Sequence, residues 1–202
     1  MVTYAQMFQD IFALNFFNKK PGFFLDLGCG DGINRPCENN TLLLEETGWD
    51  GLSVDFEADY IDFFRQKRKT KAVCADLTKV DIKTLLTEND CPKTIDYLSF
   101  DLDEATDIAL ETLPVQDFKF KFVTFEHNLY FRSKKYADLK KRAIEKFTSN
   151  GYEILIENVV IPRLGPVEDW FIHTELTKEN KKIFLKDVNH RDIVNVYGYD
   201  KS

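Results

Sequence analysis

Phe8, Ile11, Phe12, Leu14 and Phe16 recur close to helical spacing, and Lys19-Lys20-Pro21-Gly22 stops the segment. Residues 4–18 are therefore predicted to form a leading helix. Short apolar runs follow, alternating with amphipathic stretches of about ten residues. The runs at 22–26, 51–55, 71–75 and 95–100 read as strands, and the alternating FKFKFVTF at 118–125 as a fifth. Between them, 39–47 reads as a helix with Asn39 or Asn40 as N-cap and Gly48 beyond its end. Further helices are expected at 60–68, at 81–86 before the Asn89-Asp90-Cys91-Pro92 turn, at 105–113 before Pro114, and at 136–149 before Gly151. Residues 152–161 and 170–173 read as a closing pair of strands joined through Pro162 to Pro166.

Strands alternating with helices imply right-handed βαβ units and a mostly parallel sheet covered on both faces. Ligands of such sheets bind beyond the carboxyl ends of the strands. The acidic residues that end these strands, Asp26, Asp55, Asp76, Asp101 and Glu126, are thus expected to converge on one crevice. No linker, repeat or low-complexity tract interrupts the pattern, so residues 1–202 are expected to form one domain.

Composition narrows the picture. The 18 Phe suggest a thick aromatic core or an apolar pocket. The formal net charge of -7 makes nucleic acid a poor partner, and the basic run Arg65, Lys67, Arg68, Lys69 and Lys71 reads as a solvated helix end. Cys29, Cys37, Cys74 and Cys91 show no C-x-x-C spacing, which argues against a zinc ribbon or a disulfide framework. With no charged-then-apolar leader and no apolar run near bilayer-spanning length, the expected location is cytoplasmic, with no membrane span.

The segment Asp26-Leu27-Gly28-Cys29-Gly30-Asp31-Gly32 puts three glycines at alternate positions after an apolar strand, where the backbone can approach a ligand closely. A nicotinamide-dinucleotide site would want a glycine three positions after the second, but here it comes two later, with Asn34 following. The D-x-G-x-G-x-G spacing instead resembles the first motif of class I S-adenosylmethionine-dependent methyltransferases. Asp55 ends the next strand, where ribose-binding folds place a carboxylate. Asp76 resembles the methyltransferase residue that meets the adenine amino group, with Leu77 supplying a backbone amide.

A narrower resemblance, to the FkbM-type methyltransferase family, is carried by Gln9-Asp10, GFFLDLGCGDG, NNT, GWDGLSVD, IDYLSFDLD, the EHN of Glu126 to Asn128, and the EDW of Glu168 to Trp170. It covers roughly residues 4–173. The family commonly shows D-x-E-G after the fourth strand, whereas this chain has Asp101-Leu102-Asp103-Glu104-Ala105. The resemblance implies an α/β Rossmann-like class I methyltransferase sheet, mostly parallel with a C-terminal antiparallel strand and helices on both faces. It also implies S-adenosylmethionine bound by Gln9, Asp26, Gly28, Gly30, Asp31, Asn40, Asp55, Asp76 and Leu77, and O-methylation of a hydroxyl, often of a sugar.

Methyl transfer to a hydroxyl needs in-line positioning and a base. Asp101 and His127 are the candidate catalytic residues. Asp101, Asp103 and Glu126, with Asn128, could instead hold a magnesium or manganese ion that lowers the hydroxyl pKa. His173 and His190 are expected to be structural or exposed. The expected acceptor is a sugar or glycan hydroxyl, because carboxylates beside Tyr130, Phe131 and Trp170 suit a polyol. Arg132, Lys134, Lys135 and Tyr136, and residues 163–169, are candidate acceptor walls. The alternatives are a non-catalytic module that kept the cofactor pocket and an NAD-type oxidoreductase.

Overall fold

The structure is a computed structural model that describes residues 2–33, 39–177 and 184–195. Asn34 and Cys37 lie outside the described residues. Among the described residues, eight strands form one sheet in the order β3-β2-β1-β4-β5-β7-β6-β8. They are β1 (Phe23–Leu27), β2 (Asp50–Asp55), β3 (Lys71–Cys74), β4 (Thr94–Phe100), β5 (Lys119–Glu126), β6 (Tyr152–Ile161), β7 (Gly165–His173) and β8 (Leu185–Asn189). The strands from β1 to β5 pair in parallel, β7 runs antiparallel to both β5 and β6, and β8 is parallel to β6. The expected sheet, mostly parallel with a C-terminal antiparallel strand, is therefore present.

Period-2 alternation sends successive β1 side chains into opposite layers. Phe24 joins a cluster with α1 (Gln9–Phe16) and α2 (Leu42–Glu46). Leu25 and Leu27 join a second cluster with α4 (Ile82–Glu88), α5 (Thr106–Thr112) and α6 (Lys134–Thr148). A smaller group, Ile61, Phe64, Ala72 and Cys29, lies under α3 (Ala58–Lys67). The phenylalanines are mainly core. Phe12, Phe122 and Trp170 meet with ring centroids 4.7–5.4 Å apart on one face, and Phe147 packs on Phe125, Tyr152 and Phe171 on the other.

Three departures from the expected elements have local causes. The leading helix starts only at Gln9, because the buried Asp10 carboxylate accepts the amides of Tyr4, Ala5 and Ile11 and folds the preceding segment back on itself. β7 begins at Gly165, five residues early, and pairs through Pro166 with a β6 whose register shifts three times around Asn158. β8 was not expected: it is a short, partly exposed edge strand with weak alternation, tied to β6 by a Lys186–Glu157 ion pair. No helix among the described residues is long and apolar enough to cross a membrane.

Candidate functional site

Between β1 and β4 the strand order reverses, and a crevice opens at the carboxyl ends of the strands there. A cavity of about 820 Å3 occupies it. Gly28 leaves β1 with φ +89°, and a Cβ there would lie 1.6 Å from the Asp101 carbonyl oxygen, so the turn and the end of β4 are pressed together. Gly30, with φ +56°, has nothing within 4 Å of a built Cβ and faces open space. Its amide donates to Asp55 Oδ2 (2.9 Å), and the Glu57 amide donates to Oδ1 of the same carboxylate (3.0 Å), which ties the turn to the end of β2.

Of the expected cofactor residues, Gln9, Gly28, Gly30, Asp31, Asn40, Asp55, Asp76 and Leu77 all line this cavity. Gln9 reaches it from α1, with its Oε1 accepting the Met7 amide and its Nε2 donating to Glu168. Asn40 donates to Ser99 Oγ on β4 (2.9 Å). Asp76 is held by Lys79 and Thr78, whose donated hydrogen bonds bring its pKa down to about 2. Asp26 is a correction: it is buried beneath the loop, accepts the Thr41 hydroxyl (2.7 Å) and does not line the cavity. Its side chain alternates into the helix layer, because the strand turns upward only at Gly28.

Asp101, Asp103 and Glu126 meet at the other end, with ligand atoms within 4.8 Å of one another. Burial pushes the Asp101 carboxyl well above the usual range, and the charge of Glu126 raises it further. Burial likewise raises Glu126, against a hydrogen bond from Asp101, with Glu168 and Asp103 adding repulsion. The pair thus retains a proton where ordinary carboxylates are ionised. Glu126 Oε2 is buried and has no hydrogen-bond partner, and neither has Oδ1 of the buried Asn128, which contacts the same carboxylate. This cluster could hold a cation, or accept a proton.

His127 does not belong to the site. It follows Glu126 by one position, so strand alternation sends it to the opposite side, where it is fully buried. Its Nε2 lies 3.3 Å from Asp169, and its Nδ1 accepts the Leu129 amide. Asp169 also meets Lys140 and the Asn158 amide, which makes a structural network under β6 and β7. Trp170 is corrected in the same way, being fully buried with its indole N–H donated to Glu168. Residues 165–169 are strand rather than acceptor wall, and Arg132, Lys134, Lys135 and Tyr136 do not line the cavity. Tyr130 packs on Phe131 with the rings tilted and their centroids 4.3 Å apart, and it feels the charges of Glu126, Asp103 and Asp101, so it borders the acidic end. His173 is buried and meets the Tyr152 ring edge-on, while His190 contacts the Val160 carbonyl.

Several lining residues escaped the sequence reading. Phe56 and Ile108 are exposed apolar side chains at the cavity wall, 65% and 52% accessible, on either side of the crevice. Placement of Phe56 directly after Asp55 was the available signal. Arg68, expected in a solvated run, is buried instead. It donates to Glu45 (3.0 Å), the Gly32 carbonyl, Asn39 and Thr41, and so fixes the floor of the glycine loop.

Neither a family model nor a curated protein matches the sequence. Solved structures do. The chain is similar to cofactor-bound Rv0187 from MTB (TM-score 0.60, 12% identity, 85% of this chain and 82% of that one). It is similar to the O-methyltransferase from Bacillus cereus in complex with SAH (0.55, 11%, 83% and 79%). It is also similar to the magnesium protoporphyrin IX methyltransferase from Synechocystis PCC 6803 with bound SAM (0.54, 14%, 83% and 79%). The fold is thus the mixed α/β Rossmann-like fold of S-adenosylmethionine-dependent methyltransferases.

Proposed function

We propose that the protein is an S-adenosylmethionine-dependent O-methyltransferase acting on a hydroxyl of a sugar or glycan. The observation that carries the reading is one cavity, at the switch point of a methyltransferase fold, with a glycine loop and two strand-end acids at one end and a proton-holding carboxylate pair at the other. The open space before Gly30 suits a ligand lying against the backbone. The FkbM-type resemblance supports the choice of a hydroxyl acceptor and rests on motifs alone.

When bound, S-adenosylmethionine supplies an electrophilic methyl on a sulfonium. The loop from Gly28 to Asp31, with Gln9 and Asn40, would hold its amino-acid part, Asp55 its ribose hydroxyls, and Asp76 with Leu77 its adenine. Phe56 and Ile108 would cover the base with apolar surface and exclude water. Asp101 and Glu126 receive the acceptor's hydroxyl. The ionised carboxylate of the pair would take the hydroxyl's proton as the hydroxyl oxygen accepted the methyl group that the cofactor would supply. Activity should therefore fall as pH drops through a range lying above the usual carboxylate values.

A second reading has the 4.8 Å convergence of Asp101, Asp103 and Glu126 behind it. Magnesium or manganese bound there would lower the hydroxyl's pKa. Loss of activity in EDTA with rescue by either ion supports that route, and activity unchanged by EDTA supports the direct base. The acceptor is tested by labelled methyl transfer over sugars, glycans, catechols and lipidic alcohols. Label on a carbohydrate hydroxyl is the expected result. Methylation of the other classes with all sugars inert would remove the sugar, and methyl found on nitrogen would remove O-methylation.

A further inference from the structure

Two exposed segments meet beside the acceptor end of the crevice: residues 131–135, which lead from the short turn after β5 into α6, and residues 162–164, the tip of the β6–β7 hairpin. A Cβ on Gly165 would lie 3.2 Å from the Tyr130 Cβ, so the hairpin tip sits against the Tyr130–Phe131 pair. All eight residues are exposed; four are cations, Arg132, Lys134, Lys135 and Arg163, and none is an acid, in a chain whose net charge is -7. Local structure explains none of the four. Arg132 and Arg163 have φ +53° and +69°, where glycine or asparagine is less strained, and Lys134 and Lys135 fill the first turn of α6, where the helix dipole favours acids. Among the described residues only Lys134 of these cations has an ion-pair partner, the exposed Asp138 one turn on, and such exposed pairs are weak and screened.

Phe131 and Leu164 stand among these cations, 56% and 43% exposed, with the Phe131 ring stacked on Tyr136 at 5.1 Å. Neither lines the cavity. A leucine on a hairpin tip offers a polyol or a nucleic-acid backbone nothing to bond, whereas leucine and phenylalanine both partition into the acyl boundary of a bilayer. Cations around protruding apolar side chains match an anionic lipid surface in charge and in polarity. We propose that this patch docks the protein on anionic membranes, with Phe131 and Leu164 entering the interface and the four cations meeting lipid phosphates. Tyr130 joins the patch to the acidic end of the crevice, so docking brings that end beside the bilayer. The proposal is independent of the methyltransferase reading, because docking needs neither cofactor nor acceptor.

The full chain is sedimented with vesicles of phosphatidylcholine alone or of equal parts phosphatidylcholine and phosphatidylglycerol. Wild type should bind the anionic vesicles about tenfold or more tightly than the neutral ones, and less tightly as salt is raised. Arg132→Glu with Lys135→Glu should weaken binding about 25-fold or more, at about fivefold for each charge lost. Lys20→Glu with Lys67→Glu makes the same change of charge on exposed residues before β1 and beside the β3 edge of the sheet, and should bind within about threefold of wild type. Leu164→Trp reports insertion, because both native tryptophans are buried, and its emission should shift to the blue on anionic vesicles. No binding to anionic vesicles, equal losses in the two charge variants, an unshifted Leu164→Trp emission, or binding of polyuridylate in place of vesicles overturns the proposal, the last by reassigning the patch to nucleic acid.

Discussion

Gly28 and Gly30 share a positive φ but have opposite surroundings, and the two positions respond to the same substitution differently. Gly28→Ala drives a methyl into the Asp101 carbonyl, so it should cost about 2–5 kcal/mol in a denaturant melt, from backbone strain plus overpacking. Gly30→Ala meets no protein atom and should cost only about 1 kcal/mol, yet it should abolish S-adenosylhomocysteine binding because its Cβ projects into the cavity. A Gly30→Ala protein that binds as wild type does would put the ligand elsewhere. The glycine spacing was legible in the sequence because a turn that tight tolerates few residues. His127 was misread because a residue one place beyond a strand-end acid points to the other side, and only the length of β5 decides which of the two faces the crevice.

The ends of the elements are held together by buried polar groups that hydrophobic periodicity cannot reveal. Arg68 ends α3 yet ties Glu45 on α2 to the loop through Gly32, Asn39 and Thr41. Arg68→Met should cost about 3 kcal/mol by leaving the largely buried Glu45 carboxylate without its charge partner. It should also weaken cofactor binding, measured in the same preparation by calorimetry, since the loop would lose its floor. A variant as stable as wild type would show the bridge to be incidental. Strands β1, β2, β4 and β5 were readable because each is an apolar run between turn signals. β8 was not, because an edge strand whose adjacent Lys186 and Asp187 are both exposed between half-buried neighbours has no alternation to read.

Across the whole molecule, acids are concentrated along the crevice and several are buried. Glu168 is enclosed by Trp170 and Gln9, and burial with the nearby Asp101 charge pushes its pKa up to about 8. A carboxyl whose folded pKa is raised binds more protons folded than unfolded between the usual glutamate value and about 8, so it makes stability fall as pH rises through that window. Glu168→Gln should flatten that slope in denaturant melts taken across the window. An unchanged slope would mean that Glu168 stays ionised in the fold. The net charge of -7 was visible in the composition, but its focusing on one crevice depends on which strand ends meet, and only the topology supplies that.

The central claim is that the cavity between the glycine loop and Asp55 holds S-adenosylmethionine. Calorimetric titration with S-adenosylhomocysteine tests it most directly, because it needs no knowledge of the acceptor. The account predicts one site per chain, weakened by about 1.5–3 kcal/mol, roughly 10- to 150-fold, in Asp55→Ala through loss of charge-assisted hydrogen bonds. Folded wild-type protein that takes up no S-adenosylhomocysteine, or an Asp55→Ala variant that binds it with unchanged affinity, would contradict the claim.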